Sequence, residues 1–203
     1  MYRITAKHTG KMEEIQSVST AKSINANCIK RSKIPGSVCG ECYVDPIFKR
    51  YPNVEKKMIE NTHALTGGII PDHLHPRINA AYFRFESFGE LHEGEKGINQ
   101  LVNYMTLARK NPRTTFALWT KEKALVWKYL RDFDKPKNVI FIYSSLMINI
   151  REALPAGFDK VFTTGSKEHA GKSFINCGDK KCIDCLTCYD VKDRKKYINE
   201  VLK

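Results

Sequence analysis

The chain has 203 residues, 42% of them hydrophobic, enough for one sizeable core or at most two small domains and too apolar for a disordered protein. Its apolar runs, of which "VIFIY" is among the longest, fall far short of the ~20 residues of a membrane span, so no membrane association is expected. The formal net charge of +12, from 34 Lys and Arg against 22 Asp and Glu, is the outlier in the composition.

Phosphate contacts reward clustered Lys and Arg, so that charge makes nucleic acid a candidate partner. A lysine-rich solubilising surface explains it equally simply. The basic residues are spread along the chain, with modest runs at "KRSK" (30–33) and "KDRKK" (192–196), and no zinc-finger His pair or helix-turn-helix pattern accompanies them. The start, "MYRITAKHTGKMEEIQ", lacks the apolar stretch of a signal peptide, which makes a reducing cytoplasm the expected compartment.

In chain order, the first 50 residues read as irregular, with "KIPGSVCGECYVDP" rich in turn formers. "VEKKMIENTHAL" (54–65) places Met58, Ile59, Ala64 and Leu65 at helical spacing and ends at Gly67-Gly68. "AAYFRF" (80–85) reads as a strand and "GINQLVNYMTLARKNP" (97–112) as a helix with Ile98, Leu101, Val102 and Met105 on one face. A second strand (114–120) and helix (121–133) follow, then strands at 138–145 and 160–165. The third strand, "NVIFIYSS", is dense in β-branched and aromatic residues, as a strand buried on both faces should be. The tail "DVKDRKKYINEVLK" reads as a terminal helix with a basic face.

Strand–helix–strand repeats of this length imply right-handed parallel connections and an α/β fold. The expectation is one domain over residues 1–203, a partial (β/α) barrel in preference to an open sheet. It comprises an N-terminal cysteine loop (24–46), a β/α core (54–165) and a C-terminal cysteine segment (175–190) before the terminal helix. In parallel α/β folds the loops leaving the C-terminal strand ends carry the chemistry. Here those are "ESFGELHEGEKG" (86–97), "SSLMIN" (144–149) and the stretch after "VFTTG", which leads into the C-terminal cysteines.

Seven cysteines fall in two groups: Cys28, Cys39 and Cys42, spaced C-x10-C-x2-C, and Cys177, Cys182, Cys185 and Cys188, spaced C-x4-C-x2-C-x2-C. An odd count in a cytoplasmic setting argues against a disulfide framework and for metal ligation. Three cysteines at x2 intervals resemble the run by which bacterial ferredoxins wrap an iron–sulfur cluster, though without the usual following Cys-Pro. A tetrahedral zinc on four thiolates is the competing reading, and free or redox-active thiols a third. Four plus three ligands suit one complete cluster and one with an open iron; a single shared site is the other division.

The ordered set "NCIKRSKIPGSVCGECYV", "YFRFESFGELHEGEKGINQLVNYMTLARKNPRTTFALWTK", "NVIFIYSS" and "CGDKKCIDCLTCY" resembles the bacteriophage "gene 88 protein" family, over residues 24 to 190. That family looks like a relative of the radical S-adenosylmethionine enzymes. The resemblance implies a [4Fe–4S] cluster on Cys28, Cys39 and Cys42, with an iron left for S-adenosylmethionine. Here the first gap is ten residues instead of three, and the aromatic Tyr43 follows the last cysteine instead of preceding it. The segment "ESFGE" stands where those enzymes carry a glycine-rich contact to the cofactor, which implies cofactor binding at Glu86, Ser87 and Gly89. The C-terminal cysteines would hold an auxiliary cluster or complete the first.

Other features divide between site and scaffold. Glu86, Glu90, His92 and Glu93 form either a polar site wall or a solvated loop before a helix. His73 and His75 have metal-compatible H-x-H spacing, but the flanking prolines favour a structured loop. "KEHAGKS" (167–173) departs from a phosphate-binding loop by one residue of spacing. Trp119 and Trp127 read as core. The expected function is thus that of an iron–sulfur protein with a redox or cluster-binding role and a possible redox partner. An active radical S-adenosylmethionine enzyme and a zinc-stabilised nucleic-acid-binding protein are the alternatives.

Overall fold

The computed structural model describes residues 1–169, 175–178 and 180–202. Six strands form one all-parallel sheet: β1 (Gln16–Val18), β2 (Tyr82–Phe85), β3 (Thr115–Thr120), β4 (Val139–Ser144), β5 (Lys160–Gly165) and β6 (Tyr197–Val201). They lie side by side in sequence order, the order that winds a (β/α) unit in one direction without a switch point. β1 and β6 are its two edges, so the sheet is open and a closed barrel is excluded.

Helices fill the connections between the first four strands. After β1 come α1 (Ala26–Arg31), α2 (Val44–Arg50) and α3 (Pro52–Thr66). α3 starts on a proline, whose missing N–H is harmless in the first turn. α4 (Gly94–Lys110) joins β2 to β3, and α5 (Lys123–Asp132) joins β3 to β4. The expected apolar face of α4 is the one observed, with Leu101 and Met105 fully buried and Ile98 and Val102 packed beside them.

Strand alternation sorts the sheet into two faces. Phe83, Phe85, Phe116, Leu118, Val139, Phe141 and Tyr143 meet the helices in the main core. Ala117, Trp119, Ile140 and Ile142 point the other way and form a second core with Ile15 and Tyr189. A parallel sheet needs cover on both faces. Here the second cover comes from the C-terminal cysteine segment, in which Cys182, Ile183, Leu186 and Cys188 pack against that core.

Two expectations are corrected. The first 50 residues contain β1, α1 and α2, and β1 pairs with β2 in the register Gln16↔Phe83 to Val18↔Phe85. The terminal helix does not form: Tyr197–Val201 is β6, paired with β5 from Val161↔Tyr197 to Gly165↔Val201. An unpaired edge on β5 would leave backbone groups open, and Tyr197, Ile198 and Val201 have side chains that favour a strand, with Ile198 buried. The loop-like segment 167–173 falls partly outside the described residues. No helix among the described residues is long and apolar enough to cross a membrane.

Candidate functional site

The first cysteine group assembles just past the C-terminal ends of β1 to β4. Asn25 caps α1, its side chain accepting from the backbone N–H of Asn27 (2.9 Å) and Cys28 (3.3 Å), and so fixes Cys28 on the first turn. The following loop is laced onto the connection after β4: Val38 N–H donates to Leu146 O (2.9 Å) and Ile148 N–H to Gly36 O (3.0 Å). Gly36 has φ +73°, a left-handed conformation that glycine adopts freely. Ser37 Oγ accepts from Gly40 N–H at 3.1 Å, which tightens the turn carrying Cys39.

These constraints bring Cys28, Cys39 and Cys42 into one electrostatic neighbourhood. Burial pushes the Cys28 thiol far above its ordinary range, and Glu90 and Cys39 add to the effect. Burial also raises Cys39, against the pull of Lys121. The Glu90 carboxyl is held in the same place, accepting from Thr120 Oγ1 (2.5 Å), Lys121 N–H (2.8 Å) and Leu91 N–H (2.8 Å). Arg31 lies 4.0 Å from it and pairs with Glu122 at 2.6 Å. Burial works against the Lys22 ammonium, but Asp45 and the thiols of Cys42 and Cys28 hold its proton more tightly than usual.

Glu86, Ser87 and Gly89 stand at the end of β2, and the contacts they make are internal. Glu86 has φ 58°, a strained conformation for a residue with a side chain. Its carboxylate turns towards the helices and accepts from Thr20 N–H (3.1 Å), Thr20 Oγ1 (3.1 Å), Gln100 Nε2 (2.6 Å) and the Tyr104 hydroxyl. Burial raises its pKa to about 7, although Tyr104 and Thr20 pull the other way. Ser87 Oγ joins Ser19 (2.8 Å) and Ser17 (3.1 Å), and the chain continues from Ser17 to His8 Nε2 at 2.8 Å. A Cβ on Gly89 would stand 2.5 Å from Thr20 O and 2.6 Å from Glu86 Oε2, so this glycine serves close packing between the ends of β1 and β2.

The second group is built against β6 and the face opposite the helices. Cys177 forms a parallel bridge with Glu200, its N–H donating to Asn199 O at 3.0 Å. Lys11 reaches both Glu200 Oε1 (2.8 Å) and Cys177 Sγ (3.9 Å). Cys182 and Cys185 begin and end the one-turn helix α6 (Cys182–Cys185), and Leu186 at φ 52° turns the chain towards Cys188. Burial raises Cys177 to about 11, raises Cys182 and lifts Cys188 furthest. Cys185 is exposed; its slight burial is outweighed by hydrogen bonds from Thr187 and by Lys195, which lower its pKa.

Arg84, on β2, is the cation of this group. Its guanidinium lies 4.1 Å from the Trp119 ring centroid, donates to Met12 Sδ (3.2 Å) and acts electrostatically on Cys182 and Cys188. Arg84 Nε and the Tyr189 hydroxyl are buried without a hydrogen-bond partner among the described residues. Tyr43 is common to the two groups, with Cys42, Arg84 and Glu200 all within electrostatic reach of its hydroxyl.

Electrostatic coupling links Cys28, Cys39 and Cys42 with one another, and Cys177, Cys182, Cys185 and Cys188 with one another. A single zinc on four thiolates needs sulfurs about 3.8 Å apart, from Zn–S bonds of about 2.3 Å. Among the described residues no three Cys, His, Asp or Glu side chains converge tightly enough to hold one metal ion. His75 is buried with Nδ1 on the Tyr2 hydroxyl at 2.8 Å while His73 is exposed, the arrangement of a structured loop. His92 is buried, its pKa lowered to about 4 by burial and Lys96. Sequence reasoning missed Lys11, Lys22, Arg84 and Lys121, and gave Arg31 only as part of a basic run; Lys11, Arg84 and Lys121 are remote in sequence from the cysteines they meet. For Tyr43, its place beside Cys42 was the one local signal.

No curated protein and no solved structure matches the chain. The profile of the bacteriophage family described as gene product 88 matches residues 5–198, a span that takes in both cysteine groups and all of the sheet except the last residues of β6. The chain belongs to the gene product 88 family.

Proposed function

We propose that this protein is an iron–sulfur protein with a redox or cluster-binding role, its sheet wound as a partial barrel in the manner of the radical S-adenosylmethionine enzymes. Cys177, Cys182, Cys185 and Cys188 would hold one cluster, and Cys28, Cys39 and Cys42 a second with an open iron. The observation that carries this reading is half-buried Arg84 placed among half-buried thiols, its Nε and the nearby Tyr189 hydroxyl buried and unsatisfied among the described residues. A half-buried cation and an orphaned donor favour an anionic occupant, and a thiolate-bound cluster is one.

The donor chemistry fits iron and sulfide. In a cluster each thiolate binds a different iron, so the sulfurs stay further apart than around one zinc ion. The cluster would supply one-electron transfer. The chain's own residues would bind it, set its charge environment through Arg84 and Lys11, and cover it with Tyr189 and Leu186. Such a protein works in a reducing compartment, for a phage the host cytoplasm, and exchanges electrons with a redox partner.

Anaerobic purification followed by absorption spectra and iron, sulfide and zinc analysis tests the reading. The expected result is a brown protein that loses iron when Cys182, Cys185 or Cys188 is replaced by serine. A colourless protein with stoichiometric zinc overturns it, as does full metal retention in all three variants. A second reading, cleavage of S-adenosylmethionine at the three-cysteine group, draws on the strained backbone of Glu86 at a strand end. It predicts 5′-deoxyadenosine when the reduced protein meets S-adenosylmethionine; none forms if that reading is wrong.

A further inference from the structure

The sheet has a second chemically distinct end. Because all six strands run parallel in sequence order, the segments entering them emerge together, opposite the first cysteine group. Arg77 precedes β2, Arg113 precedes β3, Lys137 precedes β4, and Arg194 and Lys196 precede β6; all five are exposed. From β2 to β6 is four inter-strand steps, about 19 Å at ~4.8 Å each. None of the five has an ion-pair partner among the described residues, Arg77 donating only to Lys110 O at 2.6 Å. The acids nearby are partly taken up, Asp132 by Arg131 (2.8 Å), Asp159 by Lys135 (2.6 Å) and Asp193 by Lys160 (3.9 Å). Among the described residues Asp72, Asp134 and Asp190 have no ion pair, too few to neutralise the row.

An aromatic ring stands in that row. Phe133, at the end of α5 between Arg131 and Lys135, is 48% exposed. One side of it is stacked on Tyr129, ring centroids 5.2 Å apart and planes at 25°. Arg109 holds the Tyr129 hydroxyl at 3.0 Å, so the ring is buttressed and presents its free side to solvent. Basic side chains alone would attract any polyanion. A rigid exposed ring among them favours one with flat, unpaired bases, because stacking on an aromatic face requires a base free of its own duplex.

We propose that this end of the sheet binds single-stranded nucleic acid, the five cations tracking four or five phosphates and Phe133 stacking one base. The surface lies opposite Cys28, Cys39 and Cys42, and strand binding is measured separately from metal content, so its success or failure leaves the iron–sulfur reading untouched, and the reverse.

The test is fluorescence anisotropy of a labelled single-stranded 20-mer with the full chain, from about 50 to 300 mM salt. The expected slope of log K against log salt is about −3, from ~0.7 per phosphate neutralised on a single strand. The combined variant Arg113→Glu, Lys137→Glu and Lys196→Glu is expected to flatten that slope by about 2. Phe133→Ala is expected to weaken binding roughly tenfold with the slope unchanged. Circular dichroism verifies that both variants fold, and Cys→Ser changes at the other end are expected to leave affinity as it is. Absence of saturable binding at 50 mM salt overturns the proposal. So does equal affinity of the triple-charge variant, or tighter binding to a duplex of the same length or to phosphatidylserine vesicles than to the single strand.

Discussion

Replacing Glu86 by glutamine removes the titrating carboxyl and one of its two acceptor oxygens while keeping its shape. In the folded protein Glu86 titrates at about 7 against an ordinary 4.5, with burial the main cause. At 1.36 kcal/mol per pH unit that gap is worth about 3 kcal/mol. Between those two pH values the folded state keeps a proton that the unfolded chain has released. Stability is therefore full below about pH 4.5, falls as the pH rises, and has lost the whole ~3 kcal/mol above about pH 7. The assay is urea denaturation of the native chain and Glu86→Gln at pH 4.5 and pH 8. Titrating groups not coupled to Glu86 cancel in the difference. The native chain is expected to lose about 3 kcal/mol more than the variant over that range. Identical profiles would refute the reasoning. A reversed sign would show that Thr20, Gln100 and Tyr104 stabilise the carboxylate by more than burial destabilises it.

Further outcomes concern the thiols and the packing. In metal-free protein at neutral pH, iodoacetamide is expected to modify exposed Cys185 first and Cys28 and Cys188 last, as read by mass spectrometry; equal rates would contradict their burial. Gly97→Ala places a Cβ 1.9 Å from His92 O and is expected to lose about 2–3 kcal/mol in urea unfolding, whereas Gly178→Ala, with nothing within 4 Å, is expected to be near neutral. Tyr189→Phe deletes a buried hydroxyl that has no partner and is expected to stabilise the metal-free chain by about 1 kcal/mol. For a chain of this size that is a rise of about 3 °C in Tm by calorimetry. A fall would mean that the hydroxyl is satisfied in solution.

The middle of the fold was legible because its elements are long and periodic. β3 and β4 carry apolar residues on both faces, and α4 shows its stripe at Ile98, Leu101, Val102 and Met105. β1 was not, because three residues with Ser17 at their centre show no alternation to detect. β6 was misread for a related reason: its five residues follow a lysine-rich run, and only the vacant edge of β5 decides between strand and helix. The cysteines announced themselves by spacing, but their electrostatic setting did not. Arg84 and Lys11 reach Cys182, Cys188 and Cys177 only through the order of the strands, which no local pattern encodes. Glu86 shows the opposite error. Its place at a strand end suggests a site wall, yet the left-handed backbone turns its carboxylate into the layer beneath α4.

The cysteine segment lying across Trp119, Ile140 and Ile142 makes ligand chemistry and folding draw on one free energy. Cys182 and Cys188 are half of a lid as well as candidate ligands, so a reagent that captures either must first lift Tyr189 from Trp119 and Tyr82. Damage there is structural at once, wetting an apolar face and freeing the strand that follows. The packing of this segment is therefore expected to set how readily proteases reach the chain beyond β5.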